Sequence, residues 1–317
     1  MEICWGLTLC CSFNCTLCMV NAVAVTDKNK EKISAQLEKV GRTLTYASKL
    51  NVLEDIATNF KEVKITFSGG DPLLFEKDLE IIGRASTLFG AKNIKLCTTG
   101  ACINQNNLDF LKGKISGLEF TLDTIYPRLE STRGPEYSKV NLPVIKLVVE
   151  NGIPVTVSTV LKKDNISKEN IDEIYNFVVE NKVRKWDLLQ FRPAGRGAKQ
   201  KHLVPYGDKY KKILEYCMTL EKKNGLIIEL HHVFYPIMGI KTKEAVCKIG
   251  RNLTILADGT VVSCRLAFNQ YGRPVDDAFV LGKLPKDTLK SILSSIKLES
   301  IKKYPACRAD YFMEHMQ

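Results

Sequence analysis

Cysteines 11, 15 and 18, in Cys11-Ser-Phe-Asn-Cys15-Thr-Leu-Cys18, put three thiols on one short loop with C-x3-C-x2-C spacing. Thiolates are the usual ligands of iron–sulfur clusters, and spacing this tight lets one loop wrap one cluster. Three thiolates leave one iron of a four-iron cube without a protein ligand. Such an iron can bind and activate a small molecule, as an open position on a catalytic metal does. Zinc is the alternative; a structural zinc takes a fourth nearby ligand, for which Cys4 or Cys10 would serve, because no histidine lies in this region. The chain has eleven cysteines, and in a reducing compartment metal or redox chemistry explains such a number better than disulfides.

Other polar clusters follow at the ends of apolar runs. Phe67-Ser-Gly69-Gly70-Asp71-Pro72-Leu73 closes the first such run after the cysteine loop. Its two glycines permit unusual backbone angles and close approach of a ligand, and Asp71 adds an anionic acceptor. Thr98-Thr99-Gly100, Thr121-Leu122-Asp123, Arg133-Gly134, Ser158 with Val160, and Phe191-Arg192-Pro193-Ala194-Gly195-Arg196-Gly197 come next. In this order, behind this cysteine spacing, they resemble the radical S-adenosylmethionine (SAM) superfamily and its peptide-modifying branch. Asp71 stands where that family usually has glutamate, and Thr99 where it often has asparagine.

The resemblance implies the site. A [4Fe-4S] cluster on Cys11, Cys15 and Cys18 would bind SAM through its open iron. Gly69, Gly70 and Asp71 would receive the methionine ammonium, Arg133 the methionine carboxylate. Thr99, Asp123, Ser158 and Val160 would complete the cofactor site. Arg192 and Arg196 point to an anionic ligand. Reductive cleavage of SAM would yield a 5′-deoxyadenosyl radical that abstracts hydrogen from an unactivated C–H. A nearby thiol could return a hydrogen atom, with Cys97, Cys102 and Cys217 as candidates; the first two flank the segment Thr98–Gly100.

Near the C-terminus, Cys247 is followed by eleven residues, Gly259, four residues and Cys264. This C-x11-G-x4-C pattern resembles the opening half of the SPASM/twitch auxiliary-cluster domains. Only Cys307 follows, which implies a shortened, twitch-like domain with one auxiliary [4Fe-4S] cluster on Cys247, Cys264 and Cys307. Its fourth ligand would come from substrate, solvent or Cys217.

The elements that must carry these residues alternate. From about residue 45 to 223, short β-rich runs and amphipathic helical stretches succeed one another, with strands expected at 63–67, 93–98, 115–122, 153–160 and 185–191. Apolar strands separated by helices imply parallel pairing under a helical layer, and chemistry in such folds gathers at the C-terminal strand ends. The expected class is α/β: a partial or complete (β/α) barrel of radical SAM type over 1–223. A small, β-rich, twitch-like domain would follow over 224–317, with Asp258-Gly259 as a hairpin turn.

Lys and Arg number 46 against 35 Asp and Glu, a net charge of +11. Such a balance suits an acidic peptide or nucleotide, but no dense Lys/Arg run with interleaved aromatics points to nucleic acid. No apolar run is long enough to span a bilayer and no signal peptide is evident, so a cytoplasmic protein is expected. The resulting functional expectation is hydrogen abstraction from a peptide substrate, leading to a cross-link, dehydrogenation or epimerisation. An electron donor such as flavodoxin or ferredoxin would serve it. The alternatives are a dehydrogenase or rearrangement enzyme for a small polar metabolite, and a non-catalytic iron–sulfur electron carrier. The GTP-cyclase branch is not expected, for want of its C-terminal diglycine and of a C-x2-C at Cys247.

Overall fold

A computed structural model describes residues 1–126, 132–134, 136–240 and 252–294. The chain begins with a strand, β1 (Glu2–Thr8), which runs into β2 (Cys10–Cys11) and, after the cysteine loop, β3 (Val23–Ala24). Helices α1 (Lys30–Lys39) and α2 (Tyr46–Asn59) lead to β4 (Lys64–Gly69). Strands and helices then alternate: α3 (Glu76–Phe89), β5 (Ile94–Thr98), α4 (Gln105–Leu111), β6 (Gly117–Thr121), α5 (Tyr137–Glu150), β7 (Val155–Leu161), α6 (Lys168–Glu180), β8 (Lys185–Gln190), α7 (Gly207–Thr219) and β9 (Ile227–Leu230). The tail adds β10 (Asn252–Ile255), β11 (Thr260–Val262), β12 (Val280–Lys283) and α8 (Leu289–Leu293).

One ten-stranded sheet results, in the order β12-β11-β10-β1-β4-β5-β6-β7-β8-β9. Pairing is parallel from β10 to β9 and antiparallel through β11 and β12. β12 and β9 are its two edges, so the architecture is a partial barrel.

Period-two alternation makes the sheet two-faced. Ile65, Phe67, Leu96, Leu118, Phe120, Val157, Trp186 and Leu188 are fully buried in one core beneath the helices. The intervening residues form a polar inner face. There Lys95 pairs with Glu119 at 2.7 Å, and Lys185 pairs with Asp187 at 2.9 Å and Glu229 at 2.6 Å. Holding ionisable groups on a partly buried face is costly unless they are paired; Lys95–Glu119 and Lys185–Glu229 pair across neighbouring strands, and Lys185–Asp187 along β8.

The helices are placed by their apolar stripes and caps. Val52, Leu53 and Ile56 of α2 and Ile81, Ile82 and Ala85 of α3 face the core. Thr45 and Ser167 cap α2 and α6 by accepting the backbone N–H of Ser48 and Asn170, the usual economy for an otherwise orphaned donor. A buried Lys49–Asp78 ion pair at 2.6 Å ties α2 to α3.

Strand β1 precedes the cysteine loop and pairs with β4 and β10. Ile227–Leu230, expected in the tail, is β9 and lies parallel to β8 as a member of the main sheet. Its Ile228 and Leu230 alternate into the barrel's core, which is what binds it there. The hairpin at Asp258-Gly259 is present between β10 and β11.

Candidate metal centre and cofactor site

The cysteine loop leaves the C-terminal end of β1 and is closed at its base. β2 and β3 pair in parallel, Cys10 opposite Val23 and Cys11 opposite Ala24, and Val23 N donates to Leu9 O at 2.7 Å. Cys10 turns into an apolar cluster with Leu9, Val25, Leu37 and Phe75; Cys11 starts the ligand loop. Inside it, backbone N–H groups of Phe13 and Ala22 lie 3.5 Å and 3.3 Å from the sulfurs of Cys11 and Cys18. Such N–H···S contacts stabilise thiolates and orient them. Burial pushes the Cys11 thiol well up, and the charges of Asp71, Cys15 and Cys18 add to this.

The glycine stretch forms the floor. Gly70 N donates to Thr8 O at 2.6 Å, and Asp71 N to Cys10 O at 2.8 Å. A Cβ on Gly70 would overlap the Cys10 carbonyl, and one on Gly69 (φ 123°) the Thr8 carbonyl. The glycines are therefore required first by the approach of β4's end to the stem of the cysteine loop. Gly70→Ala is expected to cost about 3 kcal/mol and to lower iron binding. Anaerobic denaturation of the apo-protein and iron counting after reconstitution measure the two effects.

Asp71 is fully buried, and its oxygens are occupied. Oδ1 accepts from Leu73 N and Thr98 Oγ1, Oδ2 from Thr98 Oγ1, Thr99 N and Thr99 Oγ1, all at 3.0 Å except the last, at 2.5 Å. Asp71 thereby fastens the β4 and β5 loops together. Burial outweighs these hydrogen bonds and holds its carboxyl above the usual range.

A second node lies at the ends of β6 and β7. Asp123 Oδ2 accepts from Arg133 Nε at 2.8 Å and pairs with Lys162 Nζ at 3.1 Å, while Oδ1 accepts from Val160 N at 2.9 Å. Asn165 and Asn170 donate to its backbone carbonyl. Burial would raise the Asp123 carboxyl, but Arg133 and Lys162 more than offset it and hold it below the usual range. Arg133 lies over the Tyr137 ring, which packs on Phe13 of the cysteine loop. Thr16 N donates to Thr132 O at 2.7 Å, so the loop and the Arg133 segment touch directly.

Gly69, Gly70, Asp71, Thr99, Asp123, Arg133 and Val160 thus gather with Cys11, Cys15 and Cys18 at the C-terminal strand ends. Ser158 sits two residues deeper, donating to Glu119 at 2.7 Å. Cys97 lies on the inner face near Glu119 and Cys4, its thiol raised by burial. Cys102 faces elsewhere: its sulfur is 3.7 Å from Ser12 Oγ, in a cavity of about 740 Å³ with Lys30, Leu74 and Phe110; burial pushes its thiol up to about 11. Cys217 is not brought to the site. It lies in the core on α7, with its thiol pushed by burial to about 12. Cys264 is half-buried just after β11, and Cys247 and Cys307 lie outside the described residues.

Sequence reasoning missed several residues here. Lys162 resembles any solvated lysine until its burial is seen. Arg265, next to Cys264, lies close enough to feel the charges of Cys4, Glu119 and Cys97 on the inner face. Arg196 binds carbonyls of the cysteine loop.

The radical SAM superfamily model matches residues 5–178, from β1 through α6. The chain belongs to the radical SAM superfamily. This radical SAM chain also carries a match to the SPASM iron–sulfur cluster-binding domain over residues 247–310. Its cofactors are accordingly a [4Fe-4S] cluster with SAM and an auxiliary iron–sulfur cluster. The donor set fits the first of these: three cysteines on one loop, two of them with N–H groups at sulfur. Among described residues, no three His, Cys, Asp or Glu side chains converge on a single-ion site.

Among curated relatives, GTP 3′,8-cyclase of Clostridium perfringens (strain 13) is 27% identical over 218 residues, 64% of this chain and 66% of the cyclase. The S-adenosylmethionine-dependent nucleotide dehydratase of Flammeovirga pacifica is 25% identical over 187 residues, covering 57% of this chain and 61% of the relative. The chain thus spans less than two thirds of these relatives' lengths. Among solved structures, Streptococcus suis SuiB bound to precursor peptide SuiA superposes with a TM-score of 0.68 at 17% identity. That match covers 96% of this chain and 66% of SuiB. Native anSMEcpe with bound AdoMet gives 0.65 at 15% identity, covering 95% and 82%. These likenesses establish the fold. No helix among the described residues is long and apolar enough to cross a membrane.

Proposed function

We propose that this chain is an enzyme that cleaves SAM reductively and abstracts hydrogen from a peptide substrate. When bound at Cys11, Cys15 and Cys18, the cluster with SAM supplies a 5′-deoxyadenosyl radical. The chain's own residues do the rest. Backbone groups at Gly69 and Gly70 receive the methionine end, while Asp71 keeps Thr99 against that loop. Asp123 and Lys162 hold Arg133 facing a carboxylate, and Ser158 and Val160 line the far side. The polar inner face from Lys95 to Glu229 then holds the substrate, and Cys97 is the thiol best placed to return a hydrogen atom. The barrel unit runs through β9, and the tail after it holds the auxiliary cluster on Cys247, Cys264 and Cys307.

The observation that carries the peptide reading is the SPASM match at 247–310, in a fold that aligns with SuiB over 96% of the chain. A second reading, a nucleotide or other small polar metabolite, is favoured by the cyclase and dehydratase relatives. The test uses anaerobically reconstituted protein, SAM and a reductant. Release of 5′-deoxyadenosine is compared with a precursor peptide encoded beside the gene and with GTP. Stimulation by the peptide, with hydrogen lost or inverted at one residue, supports the proposal; stimulation by GTP alone sinks it. In the same preparation, Cys264→Ala is expected to lower iron from about eight to about four per chain.

A further inference from the structure

Arg196 follows Gly195, which lies in the left-handed region (φ 56°) with no room for a Cβ against the carbonyls of Cys18 and Met19. From there Arg196 reaches three carbonyls of the cysteine loop. Its backbone N–H donates to Cys18 O at 3.0 Å, Nε to Cys15 O at 2.8 Å and Nη1 to Ala22 O at 2.6 Å. Its Nη2 is buried with no hydrogen-bond partner among the described residues. The loop is also held from behind: Gly195 N donates to Asn269 O at 2.9 Å, and Asn21 Nδ2 to Gln270 O at 3.0 Å.

We propose that Arg196 is a positioning residue for the first cluster, fixing the arc from Cys15 to Ala22 in its ligating shape and setting the cluster's potential through a permanent charge. The inference rests on the assignment of that cluster to Cys11, Cys15 and Cys18. Two of those three ligands lie on the arc. A free loop would pay backbone entropy to bring its thiolates together; a planar guanidinium that ties two carbonyls at once removes much of that cost beforehand. A lysine, with a compact charge on a flexible stem, cannot span both in the same way. Guanidinium also stays charged at every working pH. Cluster potentials respond to net charge and hydrogen bonding nearby, and a fixed cation favours the more negative, reduced state.

The test reads the cluster itself. In Arg196→Met, iron loss to a chelator is expected to be several-fold faster. The reduced fraction at a fixed potential should fall about tenfold, a midpoint shift of about 59 mV towards more negative values. Arg196→Lys is expected to restore the midpoint, because the charge returns, while iron loss stays fast, because the two-carbonyl fork does not. A merely structural arginine would alter thermal stability and leave the midpoint alone, so an unchanged midpoint in Arg196→Met overturns the proposal. If Arg196→Met holds no iron, Arg196→Lys decides: iron regained supports the proposal, and a folded lysine variant still without iron overturns it. Wild-type protein is titrated alongside. A wild-type cluster whose spectrum does not respond to SAM would bring down the functional reading itself, whereas a responsive wild type with unaltered variants brings down this inference only.

Discussion

Cys15→Ala is expected to remove about four irons per chain and to reduce SAM cleavage to background, while Cys10→Ala leaves both unchanged. The two cysteines are near neighbours in sequence, both buried, and differ in direction. Cys10 packs among Leu9, Val25, Leu37 and Phe75, whereas Cys15 lies on the loop whose sulfurs at Cys11 and Cys18 meet backbone N–H groups. Losing one of three ligands leaves two irons of a cube without protein support, which a small site seldom tolerates. Iron and sulfide counts with 5′-deoxyadenosine release read the result. Equal iron in the Cys15→Ala variant and wild type would contradict the assignment of the loop.

The second large effect is at Asp123. Its carboxylate is the shared partner of Arg133 and Lys162, and all three groups are buried or nearly so. Removing one member of such a set leaves charges in a poor dielectric without compensation, at about 3–5 kcal/mol. Asp123→Ala is expected to lose that much stability and to weaken SAM binding, since Arg133 loses the bond that orients it. Because the folded carboxyl lies below its usual range, the advantage of wild type over the variant is full above about pH 4. It shrinks as pH falls through the depressed value. Asp71 runs the other way: burial raises it, so its own contribution is largest in acid and declines as pH rises through the raised value. Denaturation curves of wild type and Asp123→Ala across this range test the sign; a gap that widens in acid would refute the ion triad's role.

Much of this was legible in advance for a physical reason. Helices such as α3 and α6 carry long amphipathic stripes, and their neighbours β5 and β7 are apolar enough to read as strands, so the alternation from β4 to α7 was evident. β1 was not, because a single strand of Glu-Ile-Cys-Trp-Gly-Leu-Thr beside a cysteine cluster has no helix before it to set the rhythm. The ligand loop was legible because three cysteines at fixed spacing need no tertiary context. The roles of Asp71, Lys162 and Arg196 were not, because each depends on what fills its hydrogen-bonding capacity. Thr98 and Thr99 satisfy Asp71, Asp123 buries Lys162, and the loop carbonyls capture Arg196. None of those partners is adjacent in sequence. Cys217 looked like Cys97 on paper; only the side of α7 it occupies separates a core thiol from one on the polar wall.

The placement of β10 beside β1 has a consequence for the integrity of the whole machine. Glu2 to Trp5 zip on one flank to Asn252–Ile255 and on the other to β4, which makes the strand feeding the metal loop an interior plank. Strip away the tail and that plank becomes a bare margin, its amide and carbonyl row open to any passing chain, the usual route to edge-to-edge aggregation.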